Sequence, residues 1–154
     1  MVFYVQEKYD EAIQAFDKAI EINPSFSESL DTVSLENATD CSKKGHALAQ
    51  QGKYDEAIKA FDNAIKIYLK TIETYPQFAI EINPRLAAAW INKGIALCSQ
   101  DKYDEGIQAF DRAIEIEPQL ADAWYNKGIV LKLLGRTTEA DEAFDKANEL
   151  GYTD

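Results

Sequence analysis

Histidine is nearly missing from this sequence; His46 is the single one. One imidazole cannot build the paired-histidine motifs of catalytic zinc, so no metal is expected. Cysteine is scarce too. Cys41 and Cys98 show no spacing that demands a disulfide, and a reduced intracellular protein is the default reading. Basic charge is short: 16 Lys and Arg stand against 27 Asp and Glu, a net charge of −11. That argues against a nucleic-acid backbone partner, which requires a basic face, and it disfavours an anionic membrane surface. No apolar run is long enough to cross a bilayer. Met1-Val-Phe-Tyr-Val has neither a basic lead-in nor a small-residue cleavage site, so the expected compartment is the cytoplasm. The seven glycines are scattered, which leaves no Gly-rich loop to cradle a phosphate.

What the chain does have is repetition. Lys8-Tyr-Asp-Glu-Ala-Ile-Gln-Ala-Phe-Asp-Lys-Ala-Ile-Glu-Ile22 returns nearly unchanged as Lys53 to Ile67 and again as Lys102 to Ile116. A worn fourth copy runs from Arg136 through Ala140, Phe144 and Ala147. Each copy reads as an amphipathic helix. In the second, Ala57, Phe61, Ala64, Ile65 and Tyr68 fall at helical spacing with charges between them. The pairs Asp10-Glu11, Asp55-Glu56 and Asp104-Glu105 open each copy, where the helix dipole favours negative charge. Paired carboxylates can be catalytic, but their recurrence at every helix start assigns them to structure.

Between these copies lie other helices. Residues from Ala38 to Gln51 carry Cys41, Gly45 and Leu48 on one face. Leu86 to Gln100 carries Trp90, Gly94 and Leu97, and Ala121 to Leu134 carries Trp124, Gly128 and Leu131. Trp90 recurs as Trp124, Gly94 as Gly128, Phe110 as Phe144 and Ala113 as Ala147, all at one and the same interval. The order Trp-x-x-x-Gly, turn, Ala-x-x-x-Phe-x-x-Ala, then Pro, in register, strongly resembles the tetratricopeptide repeat, whose period of about 34 residues is this interval. The resemblance covers essentially the whole chain. It implies an all-α, right-handed superhelical solenoid of antiparallel helix pairs, about seven helices in one domain. The expected divisions are a half repeat at 7–24, a second repeat at 25–84 with two insertions, a third at 85–118 and a fourth at 119–151. The first repeat lacks its leading helix. Departures from the family pattern are Lys93 and Lys127 for leucine, Cys41 for tryptophan and Gly106 for alanine.

The two insertions belong together. The step from Tyr9 to Tyr54 and the step from Tyr54 to Tyr103 both exceed the period that the later copies keep. Both insertions fall at one end of the second pair, so both are expected to lengthen one hairpin by about two turns. Leu30 would then face Ile72, and Val33 would face Tyr68 or Leu69. Phe78-Ala-Ile-Glu-Ile-Asn-Pro84 repeats only the tail of the pattern, whose Asn-Pro is expected to stop the first helix at Pro24, and the next helix is expected from Leu86.

The resemblance also implies a concave groove lined by the leading helices. Its expected lining is Thr39, Ser42, His46 and Gln50, then Ala88, Ile91, Ile95 and Cys98, then Asp122, Tyr125, Ile129 and Lys132. Some chaperone-binding relatives clamp a C-terminal carboxylate with lysine, arginine and asparagine. Asn92 and Asn126 match the asparagine part alone, while Ile91, Ile95, Tyr125 and Ile129 stand where polar groups would be wanted. A partly apolar segment such as a helix is the expected guest. Cys41, His46 and Cys98 do not form a ligand set, because Cys41 is expected in the core and His46 on the opposite side. The expected function is a non-catalytic protein-interaction scaffold with no cofactor, whose partner is a protein or peptide. The alternative is a self-assembling module. It would form a homodimer through ends left uncovered at Tyr9, Phe16 and Ile20 or at Ala140, Phe144 and Ala147, with Val2, Phe3, Tyr4 and Val5 covering the first end in part. The extended hairpin offers a second route.

Overall fold

A computed structural model describes residues 32–153 together with Glu11 and Gln14, and the side chains from Leu35 onward. Apart from Glu11 and Gln14, the helix expected over 7–22 lies outside the described residues, as do the lead from Val2 to Val5, Leu30 and the Val33 side chain. Among those described there are six α-helices and no strand: α1 (Thr32–Gln50), α2 (Tyr54–Thr74), α3 (Ala79–Cys98), α4 (Tyr103–Ile116), α5 (Ala121–Leu133) and α6 (Thr137–Glu149). A single 3-10 turn, Pro76–Phe78, joins α2 to α3. The chain divides into two compact units, Met1–Arg85 and Leu86–Asp154.

Each leading helix meets its trailing partner through a glycine. A methyl placed on Gly45 would lie 2.7 Å from the ring of Phe61. The same holds for Gly94 against Phe110 and for Gly128 against Phe144, again at 2.7 Å. The alanines one turn earlier than these rings, Ala57 and Ala140, are fully covered. Leading helix and ring therefore approach to contact, which no larger residue at the glycine would permit. The turns that reverse the chain also share one form. Gly52 and Gly135 are left-handed, with φ near 74°. The next amide then bonds back into the helix: Lys53 to Leu48 at 3.0 Å and Arg136 to Leu131 at 2.9 Å. Asp101 occupies this place in the turn from α3 to α4 at φ 62°, and its carboxylate accepts the Tyr103 hydroxyl at 2.8 Å.

The first described pair is long, as the two insertions require. α2 has 21 residues against 14 in α4, a difference of seven, which is about two turns. α1 has 19 against 13 in α5. Asn37 to Asp40 lie inside α1. Tyr68 is buried in the extension, with its hydroxyl 3.4 Å from that of Thr39 on the facing helix. Thr71 is buried beside it and bonds to the Ile67 carbonyl at 2.8 Å.

Pro84 does not stop a helix. α3 begins at Ala79 and runs through it. Proline here removes the bond to the Ile80 carbonyl, at a cost of about 3 kcal/mol. Ile82 and Leu86, each 2% exposed, flank it. Burying such side chains contributes about 1.5–3 kcal/mol each, enough to offset the lost bond. The tail motif that ends a helix elsewhere thus begins one here.

In the second unit, Ala87, Ile91, Ile107, Phe110, Ala113, Ala123, Val130, Leu131, Ala140 and Ala143 form one continuous core. The strip expected to lie open on α6 is not open: Ala140 and Ala147 are buried, and Phe144 is half-buried. Thr137, Asp141 and Asn148 stand one repeat after Tyr103, Ile107 and Ile114 and are exposed. Polar residues occupy the places that are apolar one repeat earlier.

Gly106 has its own reason. A methyl there would overlap the Cys98 sulfur and lie 3.1 Å from the Gly94 carbonyl. Cys98 therefore fills the space that the Ala57 and Ala140 methyls fill in the sibling helices. Gly106→Ala alone is expected to destabilise the protein despite its better helix propensity of about 1 kcal/mol. Adding Cys98→Ala should restore stability to at least the wild-type value, with a coupling of about 1–3 kcal/mol in denaturant melts. Additive effects would show that the two residues do not share this space.

Candidate functional site

The candidate residues fall in two groups, one in each unit. On α1, His46 and Gln50 are exposed and Thr39 and Ser42 are half-buried. Thr39 donates to the Leu35 carbonyl at 2.8 Å, so its hydroxyl is engaged within its own helix. Cys41 is buried, on the side away from His46.

On α3 and α5 the expected set divides. Ala88 and Ile95 on α3 are exposed, as are Asp122, Ile129 and Lys132 on α5. Ile95 is 43% exposed and Ile129 38%. Asn92 and Asn126 are half-buried on the same faces, one turn from these isoleucines. The Asn126 amide donates to the Asp122 carbonyl at 2.7 Å. Leu133, 67% exposed, extends the α5 face by one turn and was absent from the sequence-derived set. It stands four residues after Ile129, so helical spacing alone could have found it.

Two expected groove residues lie elsewhere. Ile91 is 8% exposed and belongs to the core of its unit. Its position on α3 is turned under α5 by the packing around Phe110, Ala123 and Val130. Cys98 is half-buried, packed on the same core with its sulfur against Gly106. Burial pushes its thiol up from 9.0 to about 11. Tyr125 is partly covered as well. Its ring stacks on Tyr152 with centroids 3.9 Å apart and 15° between planes, and it tilts against Phe144 at 5.6 Å and 58°.

The lysines that replace leucine are placed by aromatic rings. Lys93 Nζ sits 5.1 Å from the centre of the Trp90 ring, and Lys127 Nζ 5.7 Å from that of Trp124. Lys127 also pairs with Asp111 of α4 at 2.6 Å. The Trp124 indole donates to the Pro118 carbonyl at 3.1 Å. In the turn into α6, Arg136 donates to both oxygens of Glu139 at 2.8 and 2.6 Å. Those bonds hold the Glu139 carboxyl below its ordinary range. These charges brace helices and turns. Among the described residues no group of three His, Cys, Asp or Glu side chains gathers where it could hold a metal ion. No helix among them is long and apolar enough to cross a membrane.

The raised thiol has a measurable consequence. A two-unit rise leaves about a hundredfold less thiolate at pH 8 than an unshifted cysteine would have. Iodoacetamide should alkylate Cys98 of the folded protein at least tenfold more slowly than after unfolding. The neutral thiol is the form that folding favours. This contribution to stability is therefore intact below pH 9 and declines as pH rises towards 11. Equal alkylation rates in both states would contradict the buried placement.

Tetratricopeptide repeat family models match residues 42–121, 1–26 and 109–142. No curated protein matches the chain. Among solved structures, the Arabidopsis OM64 TPR domain is similar at 20% identity, covering 77% of this chain and 85% of its own, with a TM-score of 0.63. The second TPR of Spaghetti (RPAP3), bound to the HSP90 peptide SRMEEVD, is similar at 22% identity. It covers 75% of this chain and 94% of its own, with a TM-score of 0.55. These likenesses carry the all-α helix-pair fold. With one family model spanning residues 42–121, over half its length, and the ring-on-glycine packing repeated in every described pair, this chain belongs to the tetratricopeptide repeat family.

Proposed function

We propose that this protein is a non-catalytic interaction scaffold that holds a partly apolar peptide segment, in helical form, on the exposed faces of α3 and α5 in its second unit. The observation that carries this reading is the pair Ile95 and Ile129. They occupy equivalent places on α3 and α5, and both are more than a third exposed. Ala88 and Leu133 continue the same faces. Single exposed apolar residues are ordinary, but an apolar line repeated in register is the pattern of a helix-binding surface. The repeat-family membership and the bound peptide in the Spaghetti structure support a protein or peptide as the partner class. A carboxylate clamp does not fit these residues. Basic groups are wanting at Ile95, Tyr125 and Ile129, and the Asn126 amide bonds within its helix.

Fluorescence anisotropy with an amphipathic helical peptide, leucines on one face, tests the reading. Ile95→Ser or Ile129→Ser should each weaken binding about tenfold, the loss expected from removing one buried aliphatic contact. Thermal stability should fall by only a few degrees, since each side chain is only partly covered in the free protein. Unchanged affinity in both variants would sink the proposal. So would micromolar binding of an acidic C-terminal peptide that is lost in Asn92→Ala.

A second reading, self-association, rests on a different place. Leu69 on α2 is 49% exposed and Ile80 in the first turn of α3 89%. A homodimer that buries these side chains would cover apolar surface now open to water. Light scattering should then show a mass that doubles with concentration and reverts to monomer in Leu69→Ser/Ile80→Ser. A constant monomer mass would leave the scaffold reading to stand alone.

A further inference from the structure

The last helix pair holds an aromatic arrangement that its sibling does not. The backbone after α6 turns through Gly151 at φ 85°, and the Tyr152 amide bonds back to the Ala147 carbonyl at 2.9 Å. This is the reversal used at Gly52 and Gly135, where Lys53 and Arg136 follow. Here a tyrosine follows instead, in the place that Pro118 holds one repeat earlier. The reversal directs the ring onto Tyr125, in a near-parallel stack at 3.9 Å, and Phe144 tilts against Tyr125 at 5.6 Å. In the preceding pair the counterpart of Tyr125 is Ile91, which is closed into the core. The last leading helix would present an open aromatic face at this point, and Tyr152 covers it.

We propose that Tyr125 and Phe144 form a socket for an aromatic side chain, that the chain's own Tyr152 plugs it, and that a bound peptide fills it with a phenol or indole ring after Tyr152 swings out. The socket lies beside Asn126 and Ile129, so its use by a guest rests on the groove reading; its existence does not. Two features suit a displaceable plug: Tyr152 is only half-buried, and its hinge is a glycine with a left-handed backbone. Stacked aromatic rings gain from contact and quadrupole together, and a second ring of the same class gains the same. A closed plug lowers the apparent affinity for an outside ring by the fraction of time it is closed. Specificity then falls on guests that bring an aromatic residue and enough neighbouring apolar contact to displace Tyr152.

The test uses p-cresol, the tyrosine side chain as a free molecule, on the full chain. Tyr152→Ala should melt at a lower temperature than the wild type. Millimolar p-cresol should raise its melting temperature by about 3 °C or more, as ligand binding to a vacated site requires. Wild type and Tyr152→Phe, both plugged, should shift by less than a third as much. Tyr125→Ala/Tyr152→Ala, which lacks the socket wall, should not respond. Equal shifts in all four proteins, or none in Tyr152→Ala, would overturn the socket. Rescue of Tyr152→Ala in a protein whose Ile95→Ser and Ile129→Ser variants bind peptide normally would instead keep the socket and reject the groove.

Discussion

Everything in the described fold depends on an aromatic ring laid against a backbone without a side chain. Phe61 on Gly45, Phe110 on Gly94 and Phe144 on Gly128 are the same contact made three times. The missing methyl lets the two helices of a pair approach until ring meets main chain. That distance sets where the alanines of the trailing helix fall and why they are small. It also decides which residues of the leading helix remain outside. Ile95 and Ile129, one residue and so about 100° round the helix from Gly94 and Gly128, remain outside, whereas Ala96 and Val130, one residue further round, are buried.

The contact also explains how much could be read from the chain. Glycine, phenylalanine and alanine recur at one constant interval, so pairing and register follow from spacing alone. The hairpin extension was legible for the same reason: two inserts at one end of an antiparallel pair have one common outlet, and Tyr68 met the facing helix. Other features depend on energies that a pattern does not carry. A helix was expected only from Leu86, because the tail before it matches that at Pro24, yet the burial of Ile82 and Leu86 outweighs one lost backbone bond. Ile91 lies at a groove position by register, but the core around Phe110 takes it in. Cys98 shared that register, and its sulfur turned inward because Gly106 left room. Tyr152 carried no signal until the turn at Gly151 gave its ring a direction.

Charge has a supporting part in this architecture. Among the described residues, the ion pairs Asp40–Lys43, Arg112–Glu115, Arg136–Glu139 and Lys146–Glu149 are local braces three residues apart. Such pairs contribute little each. Lys127 differs because it reaches from α5 to Asp111 on α4 while lying along Trp124. A lysine stem covers the indole as a leucine would, and its head finds an acid that the trailing helix supplies. Substituting lysine for leucine in the family pattern therefore keeps the packing and adds a direction to it.

The Cys98–Gly106 contact bears on how the chain finds its own partners. Its trailing helices are close copies, and a leading helix that emerges unpaired meets several nearly identical surfaces. Shape alone must then discriminate. The Cys98 sulfur fits against α4, where Gly106 stands, and collides with the methyl at the matching place on α2 or α6, where Ala57 and Ala140 stand. One atom too large for two of three berths makes the mispaired hairpins less stable than the correct one. In a chain built by copying, a single departure from the copy acts as an address label.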